Sequence, residues 1–192
     1  MYYMRRAEEE AVKLSDLNFT LTKQDAELLK INYNSLNSEK FRQIGVFEYK
    51  PNNINFEENK NQSISKIENL CFAITGSLGS YQTEISLIPF LKEYYPILLR
   101  EFPNSRLIVA GKNPSERLLE VCEYYKNISV IPNPPIMEDV IKDADVYICP
   151  TFVGGGLKLR IMDGLKLGLL VLTHEVSARG YEIFHDKGIV RI

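Results

Sequence analysis

Short apolar runs alternate with longer amphipathic segments through the last two thirds of the chain. The apolar runs are "LCFAITG", "SRLIVAG", "NISVIPN", "DVYICP", "LLVLTHE" and "GIVRI", and each is predicted to be a β-strand. They are nearly continuous in apolar residues rather than alternating, which is typical of strands buried on both faces of a parallel sheet. The alternation predicts an α/β fold with a Rossmann-like, doubly wound parallel sheet.

The segments between these strands carry apolar residues at helical spacing. They are "TEISLIPFLKEYYPILLREFP", "SERLLEVCEYYK", "IMEDVIKDA" and "LKLRIMDGLKLG". Ser115 is placed to cap the second of these helices. Pro89 and Pro96 interrupt the first, so a kink or an irregular start is expected there.

The N-terminal third follows a different pattern. A helix is expected over Tyr2–Leu14, a short strand within Asp16–Thr22, a second helix with Thr22 as its N-cap, and a further short strand in "KFRQIGVFEY". The next twenty residues are rich in Asn, Glu, Lys and Ser and predict a flexible connection. We therefore place a boundary near Ile67, with an N-terminal helix and strand appendage at 1–66 and the Rossmann-like domain at 67–192.

Composition excludes several classes of protein. The formal net charge is −2 without a long block of one sign, so it does not indicate nucleic acid or an anionic membrane as a partner. No apolar run approaches the ~18 residues of a membrane-spanning helix. The three cysteines are widely spaced and form no metal-binding motif, which predicts buried free thiols and a cytoplasmic location.

Ligands of doubly wound sheets bind beyond the carboxyl ends of the strands, so the residues that follow each strand are the candidates. Gly76 and Ser77 follow the first strand, Lys112 follows the second, and Ile131 and Pro132 close the third. The glycine allows a loop to approach a ligand, the lysine could reach a phosphate, and the proline-rich segment could form a wall against a base. A plain turn, a solvated lysine and a rigid turn are the respective alternatives.

The densest glycine run, Gly154–Gly156, stands between the fourth strand and a predicted helix. The glycines lead into this helix, so its first N–H groups and its dipole form an anion site, with Lys158 or Arg160 adding charge. Because these two basic residues are two positions apart on a helix, at most one is expected to face the ligand. Asp163, expected one to two turns into the helix, could accept hydrogen bonds from sugar hydroxyls or could be a surface carboxylate.

His174 follows the fifth strand and could also line the cleft. No nucleophile is evident beside it in the sequence, so a Ser/His/Asp hydrolase is not supported. No convincing set of side chains supports another Rossmann-like enzyme such as a sugar-nucleotide epimerase.

From about Phe72 to Ile192 the chain resembles the C-terminal, donor-binding half of a GT-B glycosyltransferase of the large retaining group called family four. The pieces are "FAITGSL", "SRLIVAGKNPSE", "NISVIPNPPIMED" and "DVYICPTFVGGGLKLRIMDG", in this order. One subtype carries a run like GGGTRLKILEA and later "GAEGL", to which "GGGLKLRIMDG" and "SARGYE" are similar. The N-terminal segment is similar to the end of the acceptor-binding half of such enzymes.

The resemblance implies roles for particular residues. Asp163 takes the place of a glutamate that binds the ribose. The backbone of Gly155, Gly156 and Leu157 faces the diphosphate or the donor sugar, and the wall at Ile131–Asn133 contacts the base.

The chain departs from the common pattern at three positions. Ser77 and Thr83 stand where many members carry a diphosphate-binding Arg and Lys, and Gly155 stands where many carry a glutamate that holds the sugar. Lys158 and Arg160 could compensate for the missing positive charges.

The resemblance also implies an activity. A UDP-, GDP- or ADP-sugar would donate its sugar, with retention, to a hydroxyl acceptor in glycan or polysaccharide biosynthesis, without a metal or other cofactor. The acceptor site would belong to an N-terminal half of the same enzyme, so we expect the chain to be a fragment that transfers nothing alone. The alternative is a non-catalytic nucleotide-binding or interaction module with a degraded donor site.

Overall fold

The computed structural model describes residues 2–33, 38–45, 69–185 and 188–191. By Cα proximity the chain divides into two compact units, which we describe separately: residues 1–50 with 155–157, and residues 51–154 with 158–192. The predicted boundary near Ile67 and most of the polar connection before it lie outside the described residues. The division at that point therefore stays a prediction.

The second unit is built on a six-stranded, fully parallel sheet. Its strands are β3 (Cys71–Ser77), β4 (Arg106–Lys112), β5 (Ile128–Pro132), β6 (Val146–Cys149), β7 (Leu170–Thr173) and β8 (Ile189–Arg191). Their spatial order is β5-β4-β3-β6-β7-β8. This is the order of a Rossmann fold, with the direction of winding reversing between β3 and β6. The predicted α/β fold class and Rossmann-like parallel sheet are confirmed.

Helices connect the strands as the apolar spacing predicts. They are α3 (Tyr81–Pro89), α4 (Tyr95–Glu101), α5 (Glu116–Glu123), α6 (Met137–Ile141) and α7 (Arg160–Lys166), and a 3₁₀ turn follows at Glu182–Phe184. Ser115 caps α5 by accepting a hydrogen bond from the N–H of Leu118, as predicted.

A π-helical turn, Phe90–Tyr94, joins α3 to α4 and confirms the irregularity expected from the two prolines. The N–H of Tyr95 bonds to the carbonyl of Phe90, five residues back. Pro96 has no N–H to give to the carbonyl of Leu91, and the Tyr125 hydroxyl donates to that carbonyl instead at 2.7 Å. The Tyr125 side chain thus replaces the hydrogen bond that Pro96 cannot donate.

The main core of this unit lies between the sheet and helices α3, α4 and α5. Its buried members include Phe72, Leu91, Leu107, Val109 and Ile148. Cys71, Cys122 and Cys149 are buried free thiols, as predicted. Burial raises the pKa of the Cys122 thiol to about 11, so this sulfur is protonated and unreactive at neutral pH.

The first unit contains α1 (Tyr2–Leu14), β1 (Asn18–Thr20), α2 (Lys23–Asn32), a 3₁₀ turn (Ser38–Lys40) and β2 (Phe41–Gln43). The two short strands pair in parallel. Thr22 caps α2 by accepting from the N–H of Asp25, as predicted. A small core holds the helices to the strands; its buried residues are Val12, Ala26, Tyr33 and Phe41.

Candidate functional site

The carboxyl ends of β3 and β6 meet where the strand order reverses. The two strands pair in parallel through Phe72–Val146 and Ala73–Tyr147, so the loops that follow them emerge side by side. In open α/β sheets, ligands bind in the crevice outside this point. The predicted residues Gly76 and Ser77 end β3, and the glycine run follows β6.

The loop after β3 closes tightly on the end of β4. The N–H groups of Leu78 and Gly79 both reach the carbonyl of Lys112, at 2.8 and 3.4 Å. A Cβ at Gly79 would overlap the carbonyl of Asn113. The close approach of the two loops therefore requires glycine at position 79. No ligand is needed to explain this residue.

Gly76 is different, because a side chain from α7 lies against it. A Cβ at Gly76 would stand 2.7 Å from Nη1 of Arg160. The same nitrogen donates to the carbonyl of Thr75 at 3.2 Å. The guanidinium thus lies over the carboxyl end of β3, and neither Ser77 at the end of that strand nor Thr83 in α3 provides a charge.

Below this guanidinium lies a buried polar pair. The hydroxyls of Thr75 and Tyr147 are 2.6 Å apart, and burial raises the pKa of the Tyr147 phenol. Gly164 packs on the Tyr147 ring, which a Cβ at that position would meet at 2.9 Å. The first turns of α7 are therefore held close to β3 and β6.

The helix after the glycine run begins later than predicted. α7 starts at Arg160, and no side chain caps its N-terminus at Leu159. Gly154 and Gly156 have φ angles of +88° and +73°, which are incompatible with a right-handed helix. The expectation that the helix follows the glycines directly is wrong, since Leu157 and Lys158 also precede it, and anion binding at its N-terminus stays a prediction.

The three glycines have different structural reasons. The positive φ angles account for Gly154 and Gly156. Gly155 has no such angle, and a Cβ there would meet no atom of the described residues within 4 Å. Neither a positive φ angle nor a close contact of a Cβ requires glycine at position 155 among the described residues, and the approach of a ligand to Gly155 stays a prediction.

The two basic residues, Lys158 and Arg160, differ in how exposed they are. Lys158 is only 9% exposed, whereas Arg160 is partly exposed and reaches the end of β3. Of the two basic residues that the sequence offers, the structure thus directs Arg160 to the end of β3. Which of the two side chains reaches β3 depends on where α7 begins, and the spacing of two residues does not specify that position.

Asp163 lies in the first turn of α7, closer to its start than the expected one to two turns. Its side chain is half-buried, and burial raises the pKa of its carboxyl above the usual value, an effect that the nearby Lys166 partly offsets. A partly desolvated carboxylate forms stronger hydrogen bonds to hydroxyl groups than a solvated one.

The loops after β4 and β5 are linked to each other. The N–H of Asn113 bonds to Oδ1 of Asn133 at 3.0 Å, and the N–H of Asn133 bonds to the carbonyl of Gly111 at 2.7 Å. Lys112 and Pro132 are exposed, and Ile131 is partly exposed. These residues are available at the same edge of the sheet, and their contact with a ligand stays a prediction.

His174 directly follows β7. Its Nδ1 accepts from the N–H of Val176 at 3.1 Å, and its ring lies 6.0 Å from that of Phe152. Both rings line a largely apolar cavity of about 590 Å³ between α3, α4 and the end of β7.

The described residues include no helix long and apolar enough to span a membrane.

A family model described as "Glycosyl transferases group 1" matches residues 72–190. An uncharacterized 44.6 kDa protein in the cps region of Klebsiella pneumoniae is 25% identical over 111 residues, which are 54% of this chain and 29% of that protein.

Two solved structures show the same fold at low sequence identity. WaaG, a glycosyltransferase involved in lipopolysaccharide biosynthesis, is 20% identical with a TM-score of 0.64 over 91% of this chain and 48% of its own. HepE of Anabaena, solved with UDP and glucose, is 12% identical with a TM-score of 0.65 over 95% of this chain and 50% of its own. The chain therefore spans half or less of the length of these proteins.

Proposed function

The chain belongs to the group 1 family of glycosyl transferases, and from this we propose that it binds a nucleotide-diphosphate sugar at the carboxyl ends of β3 and β6. We further propose that the whole protein transfers the sugar, with retention, to a hydroxyl acceptor. The observation that carries the proposal is the Arg160 guanidinium over Gly76, at the point where the strand order reverses.

A guanidinium suits a diphosphate better than the other charges near this edge. It is planar and permanently charged, and it offers five N–H donors that match phosphate oxygens in pairs. The carbonyl of Thr75 accepts from one nitrogen and orients the group. When the bond to the sugar breaks, the leaving diphosphate gains negative charge, which a donor already aimed at it stabilises without reorganisation.

The remaining residues suit the other parts of the donor. In this proposal the Asp163 carboxylate accepts hydrogen bonds from the ribose, and the exposed backbone at Gly155 approaches the diphosphate or sugar. Ile131 and Pro132 contact the base. No step of this scheme requires a metal or another cofactor.

The relatives support a glycan acceptor. One lies in a cps region, and WaaG is involved in lipopolysaccharide biosynthesis. HepE, which has the same fold, was solved with UDP and glucose, which favours UDP among the three candidate bases. We propose that an N-terminal half of the same enzyme supplies the acceptor site, and that the enzyme acts in the cytoplasm.

The test is calorimetric titration of the chain with UDP-, GDP- and ADP-sugars, comparing wild type with Arg160→Gln. Loss of charge-assisted hydrogen bonds should weaken binding of the preferred donor roughly tenfold to a hundredfold. Arg100→Gln, which removes an exposed arginine of α4, is the matched control and should leave the affinity unchanged.

Two results would oppose the proposal. If no nucleotide sugar binds, the alternative of a non-catalytic interaction module is favoured, in agreement with the uncharged Ser77 and Thr83. If a donor binds equally to wild type and Arg160→Gln, the diphosphate lies elsewhere.

A further inference from the structure

Two side-chain hydroxyls hold the backbone on either side of the glycine run. Ser177 Oγ donates to the carbonyl of Thr151 at 2.5 Å, and Tyr181 Oη donates to the carbonyl of Lys158 at 3.0 Å. Thr151 and Lys158 enclose the loop 152–157, which contains all three glycines. Both hydroxyls belong to one turn after β7, residues 174–181, so a single turn fixes both ends of the loop.

The two hydrogen bonds are buried and the turn that supplies them is itself fixed. Ser177 and Tyr181 are each 1% exposed. The N–H of His174 and the hydroxyl of Thr173 both donate to the carbonyl of Cys149, at 3.2 and 3.1 Å, which attaches the start of the turn to the end of β6. Buried donors with defined partners give these contacts a unique geometry.

The loop between the two anchors is largely exposed, with Val153 and Leu157 partly buried. Phe152 and the three glycines are exposed, and glycine offers no side chain to pack. Within the loop the N–H of Phe152 also donates to Ser86 Oγ at 3.4 Å, and the two buried hydroxyls fix the backbone on either side of the glycines.

We propose that Ser177 and Tyr181 are positioning residues for the donor site, acting through the carbonyls of Thr151 and Lys158 on the backbone at Gly154–Gly156. This inference rests on the proposed function, since it assigns a role to the donor-facing loop. Neither side chain is required to touch the donor.

Removing either hydroxyl should leave the fold intact. The carbonyl of Lys158 also accepts from the N–H of Ile161 at 2.9 Å, so it keeps a partner in Tyr181→Phe. Ser177→Ala deletes a single oxygen. Because a less ordered loop must be ordered on binding, we expect each variant to bind the donor roughly fivefold to tenfold more weakly.

The experiment compares each variant with a control that removes a similar hydrogen bond elsewhere. Tyr125→Phe deletes a hydroxyl that donates to the carbonyl of Leu91, and Ser105→Ala deletes one that donates to the carbonyl of Phe102. Both control residues precede strands β5 and β4, at the edge of the sheet opposite the crevice. Donor affinity is measured by calorimetry, and the amide resonances of Gly154–Gly156 are measured by NMR without donor.

The expected result is weaker donor binding and shifted glycine resonances in Tyr181→Phe and Ser177→Ala, with both readouts at wild-type values in the two controls. Unchanged glycine resonances in both site variants would overturn the positioning role, as would wild-type affinity in both. If wild type binds no donor, the proposed function fails, while the glycine resonances still decide whether the two hydroxyls set the loop. Should Tyr181→Phe not fold, Ser177→Ala and its control decide the matter.

Discussion

Two glycines in the crevice illustrate opposite reasons for the same residue. Gly79 is held against the carbonyl of Asn113, whereas the position of a Cβ at Gly155 is open among the described residues. Glycine costs conformational entropy on folding, so a glycine that neither a positive φ angle nor close packing requires is a candidate for a role in ligand binding. At this scale the proposed donor site depends on Gly155 and on the guanidinium of Arg160.

Substituting these glycines by alanine should therefore separate stability from binding. Gly155→Ala should leave the free energy of unfolding unchanged or raise it by about 0.4–1 kcal/mol, since the unfolded chain loses freedom. Its donor affinity should fall, because the Cβ would stand between backbone and ligand. Gly79→Ala should lower the free energy of unfolding by about 1–3 kcal/mol through overpacking.

Urea unfolding and donor titration of both variants provide the measurement. Wild-type donor affinity in Gly155→Ala would mean that the open space at this glycine does not serve the donor.

Asp163 should show a conflict between stability and binding. Its pKa is raised in the folded chain, mainly by burial, so folding favours the protonated carboxyl. The unfolded chain releases this proton at lower pH, and stability is therefore lost as pH rises from the unfolded pKa through the raised folded one.

Asp163→Asn should accordingly have a higher melting temperature than wild type at pH 7, and this advantage should vanish near pH 3. The variant should also bind the donor more weakly, because an amide is a poorer acceptor for ribose hydroxyls than a carboxylate. Thermal melts at several pH values check the first part and titration checks the second. A stability difference that does not depend on pH would contradict the assigned cause.

At the scale of elements, the π-turn between α3 and α4 is the clearest departure from regular structure. Two neighbouring tyrosines respond to it differently. Tyr125 donates its hydroxyl to the carbonyl that Pro96 leaves without a helical donor, whereas the buried hydroxyl of Tyr95 has no hydrogen-bond partner among the described residues. Burial raises the pKa of the Tyr95 phenol, as expected for a hydroxyl in an apolar environment.

The two phenylalanine variants should change stability in opposite directions. Tyr125→Phe should lower the free energy of unfolding by about 1 kcal/mol, and Tyr95→Phe should raise it by a similar amount because an unsatisfied buried hydroxyl is removed. The rings contact each other at 5.2 Å between centroids, so the comparison is made within one environment. Destabilisation by both changes would show that the Tyr95 hydroxyl has a partner.

Periodicity predicted these elements well where one pattern dominated. Apolar runs such as Cys71–Ser77 and Arg106–Lys112 identified the strands, and Pro89 and Pro96 identified the irregular turn. The start of α7 was not predictable, because "LKLRIMDGLKLG" has helical spacing throughout. The left-handed backbone at Gly154 and Gly156, which the spacing does not show, keeps the glycines out of the helix, and α7 begins at Arg160.

The candidate site was predictable in its location but not in its contacts. Positions after parallel strands follow from topology, so Gly76 and the glycine run could be named from sequence. Which basic side chain reaches β3 depends on where α7 begins, and the hydroxyl anchors from Ser177 and Tyr181 join residues more than twenty positions apart. Tertiary geometry of that kind leaves no pattern in a single sequence.

At the scale of the whole molecule, the fold concentrates its candidate chemistry at one edge of the sheet. Arg160, Asp163 and the glycine run all follow β6, and Arg160 reaches the end of β3 at the reversal of strand order. The chain spans 48% of WaaG and 29% of the Klebsiella protein, which is why transfer of a sugar is proposed for the whole protein. Binding of a donor is what this part of the molecule should do by itself.

The central claim is tested most directly by mapping donor binding on the amide NMR spectrum of the chain, starting with UDP-glucose. We predict shifts that saturate with added donor and that cluster at Gly76, Ser77 and Gly154–Gly156, with few changes in α1, α2 and the strands β1 and β2. Saturable shifts confined to other residues, or an unchanged spectrum with UDP-, GDP- and ADP-sugars at millimolar concentration, would contradict the account.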